Sequence, residues 1–423
     1  RKEKIILGRK LNELENKGAV FRIKRKYYIK PKTNFTRGVF STTSRGNGFV
    51  KPSLGEEDIF IPFRFRNKAF TGDMVEVVFK PSRKKGGYEG RIIKVLEKRR
   101  PTLIGVIQKQ GRTPFFVPLD SPQERTALSV PEGSASLSDG DLALIERDSY
   151  RVLKVLGDPD EPGVDVQAII EKYDLPFRFS QEVLREAEMI PSGPGSEELI
   201  EREDFLQWTT MTIDGEDARD FDDAVSIKKL KSGNFLLGVH IADVSHYVTE
   251  GEALDKEAFI RGTSVYFPDM VLPMLPEKLS EHVCSLRPRE VKLTVSVILE
   301  IGPDGNIVNK RFCPSIIQTR ERMTYNSVFK ILSQDHEEIN KYSDISEDLF
   351  LMKDLAALLR EKRRRAGSLD FDLSEPDLIY KDALLERIIP LERNEAHQII
   401  EEFMVAANEA VAVFLAEKGL ELI

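Results

Sequence analysis

The sequence predicts an α+β protein of several domains: two small antiparallel β-barrels, then a larger domain mixing strands and helices. Three observations carry this. Between residues 34 and 155, short β-branched and aromatic runs recur between glycine turns. Beyond residue 204, strand-like runs alternate with longer stretches of helical periodicity. The chain's 423 residues, 41% of them apolar, exceed what one hydrophobic core usually serves.

Taken in order, residues 1–32 begin with a helix to about Gly18, with Leu7, Leu11 and Leu14 at helical spacing. A basic hairpin follows over Val20 to Ile29, and the pair resembles the end of a winged-helix domain. Residues 33–100 give the first barrel through Gly38-Val39-Phe40, Gly48-Phe49-Val50, Asp58 to Pro62 and Gly72 to Phe79. These runs resemble a cold-shock-type OB-fold, a barrel that stacks bases on exposed rings while cations follow the backbone. Phe40, Phe49 and Phe60 are the candidate stacking rings. Residues 101–156 repeat the theme as a second OB-fold. Its acids, among them Asp120, Glu124, Glu132 and Asp141, suit the wall of a nucleic-acid channel better than direct contact. Residues 157–203, bracketed by Pro and Gly, read as a connector with helices near Val164 to Lys172 and Ser180 to Met189, expected to dock on the domain that follows. Residues 204–423 then combine strands (Phe235 to His240, Lys292 to Glu300, Ile307 to Ser315) with helices (Leu254 to Ile260, Tyr325 to Leu332, Asp348 to Ala366, Asn394 to Lys418).

Composition narrows the function. No run approaches the ~20 apolar residues of a membrane span, and Cys284 and Cys313 form neither a disulfide framework nor a zinc pattern. A monomer in the cytoplasm, with no membrane partner, is expected. The net charge of −7 hides an asymmetry: residues 1–100 hold 27 Lys and Arg against 10 Asp and Glu, a net +17, which leaves −24 for the other 323. The basic part is the natural face for a phosphate backbone, whose attraction is largely independent of sequence. No phosphate loop of the G-x-x-x-x-G-K-[ST] type occurs, which argues against an ATP-driven motor. Nor is there a convincing Ser-His-Asp arrangement, and His240, Asp243 and His246 read as structural.

The chemistry concentrates in Asp214-Gly215-Glu216-Asp217-Ala218-Arg219-Asp220-Phe221-Asp222-Asp223, six acids in ten residues between two strand-like runs. Like charges at this spacing repel, more so when drawn partly out of water. A cation relieves that repulsion. Carboxylates at Asp214, Asp220, Asp222 and Asp223 are hard oxygen donors, suited to Mg2+ or in its place Mn2+. The loop lacks the ligand alternation of an EF-hand. Magnesium among several carboxylates commonly serves phosphates, so phosphodiester hydrolysis is the reaction class it points to.

The run Thr212 to Val225 resembles the signature of the ribonuclease II/ribonuclease R (RNB) family of 3′-to-5′ exoribonucleases. Further stretches resemble the same family in the same order: Gly238 to Val244, Arg261 to Pro268, Pro273 to Pro276, Leu369 to Asp372 and His397 to Asn408. The resemblance implies a magnesium-dependent, processive, hydrolytic exonuclease acting on RNA and releasing nucleoside 5′-monophosphates. The N-terminal helix and hairpin favour the ribonuclease R branch, expected to degrade structured RNA. It implies that Asp214, Asp220, Asp222 and Asp223 organise the metal, Asp222 being the most rate-critical, and that Tyr266 and Phe371 clamp the 3′-terminal nucleotide. Tyr325 and Glu402 are further candidates, for contact with the ribose. Family members continue with an arginine-bearing motif, the rest of the catalytic domain and a C-terminal OB-type RNA-binding domain, expected as partners in cis or in trans. Two rival readings are a non-catalytic RNA-binding regulator on an inactive nuclease scaffold and a different metal nuclease, an endonuclease or a DNase.

Overall fold

The computed structural model describes residues 7, 10–11, 14–15, 20–23, 26–29, 35–43, 45–52, 57–82, 87–111, 113–128, 137–268, 270–369, 376–381, 384–390 and 393–420. They fall into two compact units, Arg1–Leu175 and Pro176–Ile423.

In the first unit the described residues between 7 and 15 are helical, and strands Val20–Ile23 and Lys26–Ile29 pair as an antiparallel hairpin. Strands Phe35–Thr42, Gly48–Pro52, Ile59–Ile61, Met74–Pro81 and Tyr88–Glu97 then close into a barrel. Alternation does the sorting: along Gly48–Pro52, Gly48, Val50 and Pro52 are buried while Phe49 and Lys51 face out. The interior is Phe40, Val50, Ile59, Ile61, Val75, Val77 and Ile92. Gly48 is required there by close approach, because a Cβ on it would stand 2.3 Å from Phe40 Cε2.

The second sheet joins, in spatial order, Thr126–Ala127, Thr113–Pro118, Thr102–Gln110, Leu142–Glu146 and Val152–Gly157, all antiparallel. Its two edge strands are not paired with each other among the described residues. Buried charge links it to the barrel. Arg147 donates from Nη1 and Nη2 to the Asp73 carboxylate at 2.8 and 2.5 Å, both side chains being almost fully buried. Arg66 donates to Ser121 Oγ at 2.5 Å and to the carbonyls of Ala69 and Gly46.

The helices expected to form one connector part company. Val164–Tyr173, expected to dock on the domain that follows, lays Val164 and Ala168 on Ile104, Leu142 and Leu156 of the second sheet and so packs within the first unit. Gln181–Met189 packs Val183 and Ala187 into the second unit. Both helices are amphipathic, and neither apolar stripe says which core it will meet.

The second unit is built on a seven-stranded sheet in the order Glu203–Asp204, Ile307–Gln318, Val291–Ile301, Phe235–Ala242, Asp223–Lys229, Thr210–Asp214 and Glu321–Thr324. The pairs are antiparallel except at the two edges. One face is covered by helices Tyr325–Leu332, Ser346–Arg365 and Glu395–Glu417 over Met211, Val225, Leu237, Val239 and Leu299. The other carries Gln181–Met189, Ala253–Arg261 and the wide turn Lys278–Val283. Coverage on both faces is why the central strands read as apolar runs rather than as strict alternation. No described helix is long and apolar enough to cross a membrane.

Candidate active site

Strand Thr210–Asp214 ends where Asp223–Lys229 begins, and the two run antiparallel with Met211 opposite Val225. The acidic segment is the loop between them, so sheet geometry alone places Asp214 and Asp223 on neighbouring strands at one end of the sheet. The loop is pinned at Phe221, which is buried. Its N–H donates to Ser285 Oγ at 3.1 Å, and its carbonyl accepts the Leu286 N–H at 2.9 Å. The Ser285 hydroxyl donates in turn to the Arg219 carbonyl at 2.8 Å, and the Asp222 carbonyl accepts the Ala242 N–H at 2.9 Å.

The structure brings the four aspartates into one field. Asp214 is pushed up to about 6 by burial first, with the Thr212 hydroxyl beside it and Arg322 pulling the other way and Asp223 and Asp220 adding to the rise. Its Oδ2 is buried and makes no hydrogen bond of standard geometry, the Thr212 hydroxyl nearby being too poorly placed to satisfy it. Asp222 also rises to about 6, from burial first and then from the charges of Asp220 and Asp223. Its residue surface is nevertheless open while the other three are half-buried, so solvent screens part of that effect. Burial raises Asp223 as well. Among the described residues, no three His, Cys, Asp or Glu side chains already stand together in a group that could hold an ion. The donor chemistry nonetheless fits a hard cation. A buried carboxylate oxygen lacks a partner, and acids that raise one another's pKa are what a bound divalent ion offsets. Glu216 and Asp217 are exposed, as expected of loop surface.

Tyr266 reaches the same cluster: its hydroxyl donates to Asp220 Oδ2 at 3.1 Å while the residue stays 66% exposed. Tyr325 stands close enough to Asp214 and Asp223 to feel their charge. Burial, then Asp214 and Asp223, push its phenol up to about 12, and its ring stacks on His397 with centroids 3.9 Å apart. Glu402 is 3% exposed and accepts Arg363 Nη2 at 2.9 Å. It lines a cavity of about 600 Å³ between helices Ser346–Arg365 and Glu395–Glu417, and its Oε2 has no partner. Phe371, with Asp370 and Asp372, lies outside the described residues.

Among the barrel rings, Phe40 cannot stack on a base, because it is wholly buried in the barrel core. Strand register decides this: Phe40 pairs with Val50 and shares its inward face, whereas Phe49 pairs with Phe60. Those two rings meet edge to face at 5.5 Å, with Phe49 exposed and Phe60 partly so.

His240, Asp243 and His246 are structural. His240 is fully buried between the Ser226 and Ser296 hydroxyls, and burial drives its pKa down to about 3. Asp243 pairs with Arg202 at 2.6 Å, and His246 with Glu198 at 2.6 Å. Cys284 and Cys313 are buried free thiols. Sequence reasoning missed Arg322, Asn326 and Ser285, which hold the acidic loop, and the stack of His397 on Tyr325; single polar residues on a short edge strand, a helix start or a turn carry no periodic signal.

The chain is similar to known proteins. The RNB domain family matches residues 202–423, the Ribonuclease B OB domain residues 38–95, and the Cold shock domain residues 115–180. Ribonuclease R of Thermotoga maritima is 38% identical over 97% of this chain and 59% of its own length. The chain thus spans about three-fifths of that relative. Among solved structures, Mycoplasma genitalium RNase R in complex with ribose methylated single-stranded RNA superposes with a TM-score of 0.77 at 24% identity, over 91% of this chain and 62% of that one. A yeast protein described as a pseudonuclease superposes with a TM-score of 0.67 at 17% identity, over 95% of this chain and 57% of that one. With the RNB model matched over more than half its residues, and with OB and cold-shock domains preceding it, the chain belongs to the RNB family of ribonucleases.

Proposed function

We propose that the chain carries the metal-dependent active site of a processive 3′-to-5′ exoribonuclease, which hydrolyses single-stranded and structured RNA to nucleoside 5′-monophosphates in the cytoplasm. The observation that supports it most is the acid cluster itself: four aspartates in mutual repulsion at one sheet end, one with a buried, unpartnered oxygen. Asp214, Asp220, Asp222 and Asp223 would hold Mg2+ or Mn2+. When bound, such an ion lowers the pKa of a water and steadies the leaving oxygen of a phosphodiester. Asp222, the most open of the four, is free to orient the attacking water, while the half-buried three fix the site.

Tyr266 is tied by its hydroxyl and exposed, so it can stack on the terminal nucleotide without choosing among bases. Phe371 would supply the opposing face. Tyr325 and Glu402 are the groups for the ribose, where a 2′-hydroxyl contact separates RNA from DNA. On the barrel, Phe49 and Phe60 are the rings for upstream bases. The Mycoplasma genitalium homologue was solved on single-stranded RNA, which supports RNA as the partner. The rest of the catalytic domain and a C-terminal OB-type domain would complete the enzyme in cis or in trans.

The fold's likeness to a pseudonuclease favours one second reading, an RNA-binding regulator without turnover. Asp222→Asn separates the two. Loss of magnesium-dependent RNA digestion with RNA affinity kept supports the enzyme. RNA binding without digestion in both proteins, even with the C-terminal segment supplied in trans, supports the regulator.

A further inference from the structure

Arg322, whose charge pulls the pKa of Asp214 down, also holds the loop that carries the other acids. It sits on the edge strand Glu321–Thr324, whose parallel pairing sets Arg322 opposite Thr212 and Thr324 opposite Asp214. From there Nη2 donates to the Gly215 carbonyl and, at 3.0 Å, to the Glu216 carbonyl. The guanidinium carbon also lies 5.4 Å from the centroid of the Phe221 ring, within cation–π range, so one group interacts with both the early and the later part of the loop. Asn326, in the first turn of the next helix, adds a tether from Nδ2 to Glu216 Oε1 at 3.0 Å. Residues 215–217 are exposed and make no strand pairing, and the other hydrogen bond recorded at the Gly215 carbonyl is a 3.3 Å turn bond from the Ala218 N–H.

We infer that Arg322 is a positioning residue: its two-carbonyl grip holds the loop closed, keeps Asp220, Asp222 and Asp223 facing Asp214, and thereby sets the site's affinity for a divalent ion. This rests on the metal reading above. The physical reason is preorganisation. Carboxylates on an untethered loop lose conformational freedom when they converge on an ion, and that loss subtracts from binding. Both bonds come from Nη2, whose two hydrogens serve the two carbonyls, while the rigid plane of the guanidinium fixes where that nitrogen stands; a flexible ammonium is a poorer match.

The test uses the full 423-residue chain without RNA, comparing wild type, Arg322→Lys and Arg322→Gln. Manganese binding is followed by electron paramagnetic resonance, and backbone amide exchange is followed over residues 215–221. The Mn2+ dissociation constant should rise about tenfold in Arg322→Gln, the low end of what losing an outer-shell partner costs. Arg322→Lys should fall between, and loop exchange should quicken in both variants. Metal-free RNA affinity should stay unchanged, which a general loss of structure would not allow. Binding within twofold of wild type in both variants, or unchanged loop exchange, overturns the inference. If the wild-type chain binds no Mn2+, the metal reading itself fails and takes the affinity claim with it, while amide exchange still decides the tether.

Discussion

Replacing Phe40 and Phe49 one at a time separates the two jobs that the barrel's aromatics do. Phe40 is fully buried among Val50, Ile59, Ile61, Val75, Val77 and Ile92. The backbone beneath it is already as close as a Cβ-free residue permits, since a Cβ on Gly48 would come within 2.3 Å of its ring. A site packed this tightly on a closed barrel collapses little around a hole, so Phe40→Ala should cost about 3–5 kcal/mol. Against a typical domain stability of about 5–15 kcal/mol, that is a third or more of the total. Phe49→Ala removes an exposed ring and its edge contact with Phe60, worth about 0.5–1.5 kcal/mol beyond area. If a base stacks there, RNA binding weakens by about 1–3 kcal/mol. Urea unfolding followed by amide exchange in residues 35–97 reads the first effect, and fluorescence titration with a labelled oligonucleotide reads the second. Trp208, the single tryptophan, lies in the other unit and serves as an internal control. The reasoning is refuted if Phe40→Ala costs under about 1 kcal/mol, or if it weakens RNA binding more than Phe49→Ala does while the barrel stays folded.

Two further outcomes follow from buried charge. Arg147→Ala leaves the Asp73 carboxylate buried without its fork, and should destabilise the first unit by about 3–5 kcal/mol in chemical denaturation; a loss below about 1 kcal/mol would show that water takes over the pairing. The folded-state pKa of both Asp214 and Asp222 lies near 6, above the ordinary 3.8. Between those values the folded chain holds more protons than the unfolded one, so stability falls as pH rises through the window and stays lower above it. A divalent ion offsets that loss. Magnesium should therefore raise the melting temperature more at pH 7.5 than at pH 5, and an equal shift at both would contradict the assignment of these acids to the metal.

The acidic loop, the principal strands and the long helices were legible because each writes a local pattern. The helix Tyr325–Leu332 matches its expected bounds, since Thr324 caps it and its apolar residues share one face. Which side of the barrel wall Phe40 occupies was not legible, because it depends on its pairing with Val50 and so on a register set across strands. The edge strand Glu321–Thr324 passed unseen for a related reason: four residues, half of them charged, become a strand only because Thr210–Asp214 lies beside them. Arg322 could not be found without that strand. The helix Val164–Tyr173 was recognisable, but its docking on the second sheet was not, since amphipathicity reports that a face is buried without reporting against what.

The central claim, that Asp214, Asp220, Asp222 and Asp223 form the metal-dependent hydrolytic site of a 3′-to-5′ exoribonuclease, is tested most directly by digesting one single-stranded RNA labelled at its 5′ end or at its 3′ end, with magnesium, beside Asp222→Asn. The expected result is immediate release of the 3′ label as a nucleoside 5′-monophosphate and stepwise shortening of the 5′-labelled strand, both abolished by the substitution. Internal fragments as the first products, or the same digestion by Asp222→Asn, would contradict it.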